Sequence, residues 1–273
     1  MPKKAKKKAK PDATNQDMYL KMMVHGPVGV GKSTLGVSGF DDPRLTPGLF
    51  LDFEGGRLAI RSKTRYIDLE DVGKLEPEEG RLDAVSIQSW ADFVKVHRLL
   101  SVDEPPYKYV CIDSLTEVGS LSLMGIVGTT LMQQISTDPA SIELQHFGKH
   151  NAQMEALVKA YRDLAVHVLL VCGTNAKKNP STKVDQLMPM LVGQQVTKLP
   201  GLVDVVGFME VDEEVAEVDE PENDIETGDE VTFRVLHTAP SQKYIAKDRS
   251  EGESLGGDLR EPTLPMILDL LEL

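Results

Sequence analysis

The chain has little cysteine, few aromatic residues and no long apolar run. Its 273 residues include two cysteines and one tryptophan, and 5% are aromatic. Cys111 and Cys172 each lie in an apolar run, which is typical of reduced core thiols rather than of a disulfide framework, and their spacing offers no metal site. Reduced core thiols are typical of an intracellular protein, so we expect a cytoplasmic location. Because no segment approaches the roughly 18 apolar residues of a membrane-spanning helix, we expect no membrane partner.

An excess of positive charge is also missing. The formal net charge of −13 excludes a general basic surface for nucleic acid, so that any such contact must be local. Lysines crowd the first ten residues, and acidic residues dominate 212–230. Residues 1–17 hold few large apolar side chains, which predicts a disordered basic arm. We expect residues 18–273 to form a single domain with an acidic hairpin loop at about 212–230.

Short apolar runs alternate with amphipathic segments along the rest of the chain, which predicts a mainly parallel α/β sheet flanked by helices. In the C-terminal third, two strand-like runs separated by the acidic segment predict a β-hairpin extension. The predicted strands are Tyr19–His25, Gly48–Phe53, Tyr107–Ile112, Val166–Cys172, Val203–Val211 and Val231–Leu236. The predicted helices are Lys32–Phe40, Trp90–Leu100, Phe147–Leu164 and Thr263–Leu271.

A complete phosphate-binding loop pattern, G-x-x-x-x-G-K-[S/T], lies between a predicted strand and a predicted helix. Its residues are Gly26, Pro27, Val28, Gly29, Val30, Gly31, Lys32, Ser33 and Thr34. Glycines let successive backbone N–H groups point at phosphate oxygens, and the following helix adds its positive N-terminal end. Lys32 is expected to reach the β- and γ-phosphates and Ser33 to bind Mg²⁺. The loop therefore predicts a site for ATP with Mg²⁺.

Two carboxylates follow predicted strands and are expected at the same sheet edge as this loop. Asp113 ends an apolar strand, as does the Walker B aspartate that holds Mg²⁺. The next residue is Ser114 rather than the glutamate that often activates water, so the base must come from elsewhere. Glu54 is the preferred candidate because its strand ends at the ligand-binding edge. Asp52 lies further from the strand end and is the weaker candidate, and a solvated turn is the alternative role for Glu54.

Together these segments resemble the RecA-type ATPase core, and most of all the small RecA-like ATPases of phages, some of which are single-strand annealing or recombination proteins. The resemblance covers roughly Tyr19 to Arg249, and it implies the host cytoplasm as the location of a phage-encoded protein. The segments that carry it are Gly26–Thr34, Leu51–Gly56, Ile112–Thr116, Phe147-Gly148, Leu169–Asn175, Leu199–Asp204 and Ala246–Arg249.

The resemblance implies roles for four residues. Glu54 would be the catalytic glutamate. Asn175 stands where many members have a Gln or His that senses the γ-phosphate. Lys247 and Arg249 match a Lys-x-Arg pair that reaches the nucleotide of a neighbouring subunit, which implies a homo-oligomeric ring or filament. Such a contact is worth about 10³ to 10⁵ in rate, and an ordinary exposed turn is the alternative.

The resemblance also implies DNA-binding loops at about Gly125–Lys149 and Lys177–Gln195. The second carries Lys177, Lys178 and Lys183 among polar residues, which favours contact with the backbone of single-stranded DNA. Aromatic residues are scarce there, so base stacking is not indicated. A solvated surface loop is the alternative.

Three functions remain open from the sequence. The leading hypothesis is an oligomeric ATPase that acts on single-stranded DNA in recombination or annealing. The second is a nucleotide-switched interaction protein whose hydrolysis times an assembly. The third is a small-molecule kinase, which ranks last because such kinases usually carry an arginine-rich lid that this sequence lacks.

Overall fold

The computed structural model describes residues 18–136, 141–178, 183–215 and 230–273. The predicted basic arm, residues 1–17, and most of the predicted acidic loop, residues 216–229, lie outside these ranges. The strands are β1 Lys21–His25, β2 Gly48–Asp52, β3 Thr64–Tyr66, β4 Leu82–Ser86, β5 Tyr109–Asp113, β6 His167–Cys172, β7 Thr174–Lys178, β8 Asp185–Pro189, β9 Val205–Val215, β10 Glu230–His237 and β11 Asp258–Arg260. The α-helices are α1 Lys32–Gly36, α2 Arg57–Ile60, α3 Trp90–Leu100, α4 Leu115–Val127, α5 Leu131–Gln134, α6 Leu144–Arg162, α7 Gln195–Lys198 and α8 Leu264–Leu270. Short 3₁₀ turns cover Leu69–Asp71 and Pro200–Leu202.

A nine-stranded sheet in the order β11-β10-β9-β1-β6-β5-β2-β4-β3 forms the centre of the molecule. All pairings from β9 to β3 are parallel, whereas β10 and β11 add antiparallel strands at one edge. The predicted α/β class with a mainly parallel sheet is therefore confirmed. Because β1 lies between β6 and β9, chain segments far apart in sequence meet on both sides of its end.

Alternate residues of the central strands face two hydrophobic cores. Met23 on β1 packs in one core with α3, α4 and α6, whereas Met22 and Val24 pack in the other with α1 and α8. A strand covered on both faces needs apolar residues at every position, and this explains the continuous apolar runs in β1, β5 and β6. Within the described ranges, no helix is both long and apolar enough to cross a membrane.

The C-terminal hairpin differs in extent from its prediction. β9 and β10 pair antiparallel from His237–Phe208 out to Glu230–Val215. Residues 212–215 and Glu230 are therefore strand, although the sequence predicted them as part of an acidic loop. Their side chains are solvent-exposed, and a strand that extends beyond the core can carry charge on both faces because it buries neither.

Candidate active site

The phosphate-binding loop connects β1 to α1 at the carboxyl edge of the sheet. Gly29 and Gly31 have φ angles of +82° and +100°, a region that favours glycine. Gly26 packs so tightly against β9 that a Cβ there would lie 2.2 Å from the Met209 carbonyl oxygen. The loop thus forms a backbone cradle that side chains at these glycines would distort or displace.

Lys32 lies at the start of α1 with its ammonium folded over the cradle. Its Nζ donates to the carbonyl oxygens of Gly26, at 2.9 Å, and Pro27, at 2.6 Å. Burial lowers the pKa of Lys32, and the negative charges of Asp113 and Glu54 oppose that shift. Within the described ranges, the Lys32 ammonium donates its hydrogen bonds to these two loop carbonyls, which phosphate oxygens can replace, so the position of Lys32 fits a nucleotide.

The two predicted metal ligands are in direct contact. The Ser33 hydroxyl donates to Asp113 Oδ2 at 2.5 Å. Burial raises the pKa of Asp113 to about 6, with the Ser33 hydrogen bond opposing the shift and the charge of Glu54 adding to it. Mg²⁺ prefers oxygen ligands and is usually held by one or two protein groups together with substrate phosphates. Ser33 and Asp113 provide a donor set of this kind next to the cradle.

Glu54 lies beside Asp113 because their strands are neighbours. Asp52 on β2 is in register with Asp113 on β5, and Glu54 follows two residues later. The Ser114 hydroxyl donates to Glu54 Oε1 at 2.5 Å. Glu54 is solvent-exposed, so its carboxylate is accessible to water at the edge where Lys32 and Asp113 meet.

Asp52, the weaker candidate for the base, is occupied by hydrogen bonds. It is 4% exposed and accepts from the backbone N–H groups of Glu54 and Gly55, at 3.2 and 2.7 Å. The Tyr66 hydroxyl donates to its other oxygen at 2.8 Å. Asp52 therefore shapes the turn that presents Glu54.

Asn175 is the second residue of β7, and its Oδ1 is buried with no hydrogen-bond partner among the described residues. Its neighbour Thr174 makes the link to the phosphate loop, because its Oγ1 is hydrogen-bonded to His25 Nδ1 at 3.1 Å. His25 is fully buried directly before Gly26, and burial lowers its pKa to about 4. The predicted sensor role of Asn175 stays a prediction.

Lys247 and Arg249 lie toward the amino ends of the parallel strands, whereas the phosphate loop lies at their carboxyl ends. Lys247 pairs with Val206 near the start of β9, and its Nζ donates to the carbonyl oxygens of Pro200, at 2.7 Å, and Val203. Burial lowers the pKa of Lys247 to about 8. Arg249 is exposed beside Asp204. Neither side chain reaches the phosphate loop of its own chain, and the predicted action on a neighbouring subunit stays a prediction.

The predicted DNA-binding segment that begins at Lys177 is not an irregular loop at its start. β7 and β8 form an antiparallel hairpin in which Lys177 lies opposite Gln186 and Lys178 opposite Asp185. Lys178 and Lys183 are exposed, whereas Lys177 is half-buried. Residues 179–182, between the strands, lie outside the described ranges. Lys177 and Lys178 are consecutive on β7, where Lys177 Nζ donates to the Leu191 carbonyl oxygen at 3.4 Å, and Lys183 lies shortly before β8. The contact of the three lysines with nucleic acid stays a prediction.

Three side chains contact this site in roles that the sequence did not predict. Ser114 and Tyr66 position Glu54 and Asp52 as described above. Arg234 on β10 lies directly against Gly31. The position of Ser114 after Asp113 offered a signal, since a serine there also caps α4. For Arg234 no sequence signal existed, because its location depends on which strands are neighbours.

A strand, a glycine cradle and a helix, with Lys32, Ser33 and Asp113 converging on them, define a P-loop nucleoside-triphosphate-binding domain. The chain belongs to a family described as an AAA domain, whose model matches residues 18–250. A comparison with curated proteins found no match.

Several solved structures are similar to this chain at low identity. A KaiC-like protein from Pyrococcus horikoshii OT3 is 14% identical, with 88% of each chain covered and a TM-score of 0.39. The RadB recombinase is 14% identical, with 79% of this chain and 88% of that chain covered and a TM-score of 0.40. The flagellar accessory protein FlaH from Methanocaldococcus jannaschii is 11% identical, with 82% and 77% covered and a TM-score of 0.34.

Proposed function

We propose that this chain is an ATPase that binds and hydrolyses ATP with Mg²⁺ and acts, as an oligomer in the cytoplasm, on single-stranded DNA during recombination or annealing. The observation that carries the ATPase proposal is the contact of Ser33 with Asp113 beside Glu54 and Lys32. A phosphate-binding cation, a pair of metal-binding oxygens and a solvent-accessible carboxylate thus share one sheet edge. The DNA role rests on the resemblance to phage RecA-like ATPases and on the β7–β8 lysines.

Each side chain has a separate task in hydrolysis. The Lys32 ammonium transfers from the carbonyls of Gly26 and Pro27 to phosphate oxygens. Ser33 and Asp113 would hold Mg²⁺, which would supply positive charge to neutralise the charge that develops on the phosphates. The Glu54 carboxylate orients the attacking water and accepts its proton. The hydrogen bond from Ser114 holds that carboxylate in place.

The β7–β8 hairpin is connected to the site at two points. The backbone N–H of Gly173 donates to Thr116 Oγ1 at 3.1 Å, on the helix that follows Asp113. The Thr174 hydroxyl contacts His25, directly before the cradle. A strand of DNA that shifts the hairpin would therefore act on both sides of the nucleotide site, which supports hydrolysis that depends on DNA.

The test of the proposed function is steady-state ATP hydrolysis with and without single-stranded DNA, at low and at physiological salt. Stimulation that persists at physiological salt is the expected result. Hydrolysis that is indifferent to DNA would contradict the DNA role and leave a nucleotide-switched interaction protein. Absence of ATP binding would contradict the ATPase proposal itself.

Replacing Lys177, Lys178 and Lys183 together with alanine is expected to weaken single-stranded DNA binding and to flatten its salt dependence. Each lost phosphate contact reduces the slope of log affinity against log salt by about 0.7 for single strands. Fluorescence anisotropy over a salt series measures this slope. Lys74→Ala, an exposed lysine that follows the Leu69–Asp71 3₁₀ turn, is the control for loss of a surface positive charge elsewhere. Equal slopes in the triple variant and the wild type would show that the hairpin does not bind DNA.

Two features support oligomerisation, one at the carboxyl ends of the parallel strands and one at their amino ends. At the nucleotide edge, Val28 is 99% and Leu58 is 83% exposed, which suits coverage by another subunit. At the other edge, Arg249 can act on phosphate only across an interface. A second copy whose Arg249 edge meets the Val28 edge would satisfy both.

Arg249→Ala is expected to lower hydrolysis by more than about tenfold, because an arginine that reaches the nucleotide of a neighbouring subunit stabilises charge on the transferred phosphoryl group. Mixing it with Glu54→Gln subunits should restore activity, since mixed interfaces then pair an intact Glu54 with an intact Arg249. The control mixture is Arg249→Ala with the double variant Arg249→Ala/Glu54→Gln, in which no intact pair can form. Recovery in neither mixture, or equal recovery in both, would argue against action between subunits.

A further inference from the structure

Arg234 lies against the phosphate loop from the side opposite the catalytic carboxylates. An ideal Cβ on Gly31 would meet its Nε at 2.7 Å, its Cδ at 3.0 Å and its Cζ at 3.3 Å. The strand register explains this approach. His25 at the end of β1 lies beside Phe208, and Arg234 lies opposite Val211, three residues further along β9. Arg234 is therefore level with the loop rather than with the strand that precedes it.

The guanidinium of Arg234 is positioned but only loosely paired. Its backbone N–H donates to Glu261 Oε1 at 2.7 Å, and the backbone N–H of Glu261 donates back to the Arg234 carbonyl at 2.8 Å. The side-chain pair is longer, at 3.3 Å between Arg234 Nη1 and Glu261 Oε2. The Arg234 side chain is 43% exposed. Backbone contacts thus fix where the side chain starts, while most of its charge remains available to a ligand.

The sheet order gives the phosphate loop two flanks. β6, β5 and β2 lie on one side of β1 and carry Asp113 and Glu54, whereas β9 and β10 lie on the other and carry Arg234. If the γ-phosphate lies beside Asp113 and Glu54, where the metal ligands and the base are, then the β10 flank of the loop is left for the α-phosphate and the nucleoside. Arginine suits phosphate oxygens because its planar donors bind two of them at once.

We propose that Arg234 is a nucleotide-binding residue that contacts the α-phosphate side of ADP and ATP alike, and that Glu261 holds it in position. The proposal deepens the nucleotide site of the proposed function and rests on it, but it does not depend on DNA. It also gives Gly31 a second reason to be glycine, since a side chain there would displace the arginine.

The test is a titration of the full chain with ADP and with a non-hydrolysable ATP analogue. Arg234→Ala is expected to weaken both by about tenfold, the size of one charge-assisted hydrogen bond to a ligand. KM for ATP should rise by a similar factor while kcat at saturation falls less than about twofold. Arg234→Lys keeps the positive charge but loses the planar pair of donors, so its nucleotide affinity should lie between those of the wild type and Arg234→Ala.

Arg260→Ala is the matched control. Arg260 lies on the neighbouring strand, stacks over the Phe233 ring at 3.9 Å and pairs with Glu214, and its side chain is 52% exposed. It should bind both nucleotides as the wild type does. Glu261→Gln keeps a hydrogen-bond acceptor but removes the competing charge, so its affinity should be equal or higher. Thermal unfolding without nucleotide verifies that each variant folds.

Several outcomes would overturn the proposal. If the wild type binds nucleotide and Arg234→Ala binds it with the same affinity, the role of Arg234 is wrong while the proposed function stands. An equal loss in Arg260→Ala would reduce the effect to general electrostatics. A loss confined to the ATP analogue would move Arg234 to the γ-phosphate flank. Failure of the wild-type chain to bind either nucleotide would overturn the proposed function, and this inference with it.

Discussion

Lys32→Ala is expected to lower the affinity for ATP with Mg²⁺ by at least about 100-fold. The Nζ of Lys32 has two acceptors in the free protein, and two phosphate oxygens would replace them in the complex. Charge-assisted hydrogen bonds contribute about 1.5–3 kcal/mol each, and about 1.4 kcal/mol corresponds to tenfold in affinity. Two lost contacts therefore predict a loss of two or more orders of magnitude.

The fold itself should tolerate this change. Burial disfavours the charged form of Lys32, and its removal leaves only loop carbonyls that water can reach. Calorimetric titration measures the affinity, and thermal unfolding with and without nucleotide gives an independent readout, because a ligand that binds the native state raises its stability. Lys95→Ala, an exposed lysine on α3, is the control. Unchanged binding in Lys32→Ala would overturn the assignment of the phosphate loop.

The phosphate loop and the carboxylates were predictable because their signals are local. The spacing of the glycines before Lys32 determines where the backbone of the cradle can turn, so the sequence pattern alone predicts the cradle. Asp113 and Glu54 each follow an apolar run, and the carboxyl ends of parallel strands meet at one edge. Asp52 ranked below Glu54 because it lies further from the strand end. The structure adds a second reason that the sequence could not supply, because Asp52 accepts hydrogen bonds from its own turn and from Tyr66, on a strand outside the motif.

Features that depend on strand order were not predictable. Arg234 reaches Gly31 only because β9 and β10 continue the sheet beside β1, and Thr174 reaches His25 only because β6 lies on the other side. The β7–β8 hairpin was missed for a different reason: Thr174–Lys178 is polar and lacks the alternation of a half-buried strand. The role of Lys247 was predicted from its spacing to Arg249. That spacing could not predict that the Lys247 ammonium donates to the carbonyl oxygens of Pro200 and Val203.

Glu54→Gln is expected to bind ATP with nearly wild-type affinity and to hydrolyse it at least about 100-fold more slowly, since a general base contributes roughly 10² to 10⁴ in rate. The amide keeps an oxygen that can accept from Ser114, so the side chain should stay in place. What it loses is the ability to take a proton from water. The variant also removes a negative charge beside Asp113, which should favour retention of the bound nucleotide.

Two measurements separate this role from a general electrostatic one. Nucleotide titration establishes binding, and a single-turnover assay then reports the chemical step without product release. Glu117→Gln is the matched control. Burial raises the pKa of Glu117, and the negative charge of Glu54 adds to that shift, so the two carboxylates are close enough to interact. If Glu117→Gln slowed the chemical step as much as Glu54→Gln, field effects would explain both. If Glu54→Gln turned over normally, the base would have to be another group that reaches the water beside Asp113.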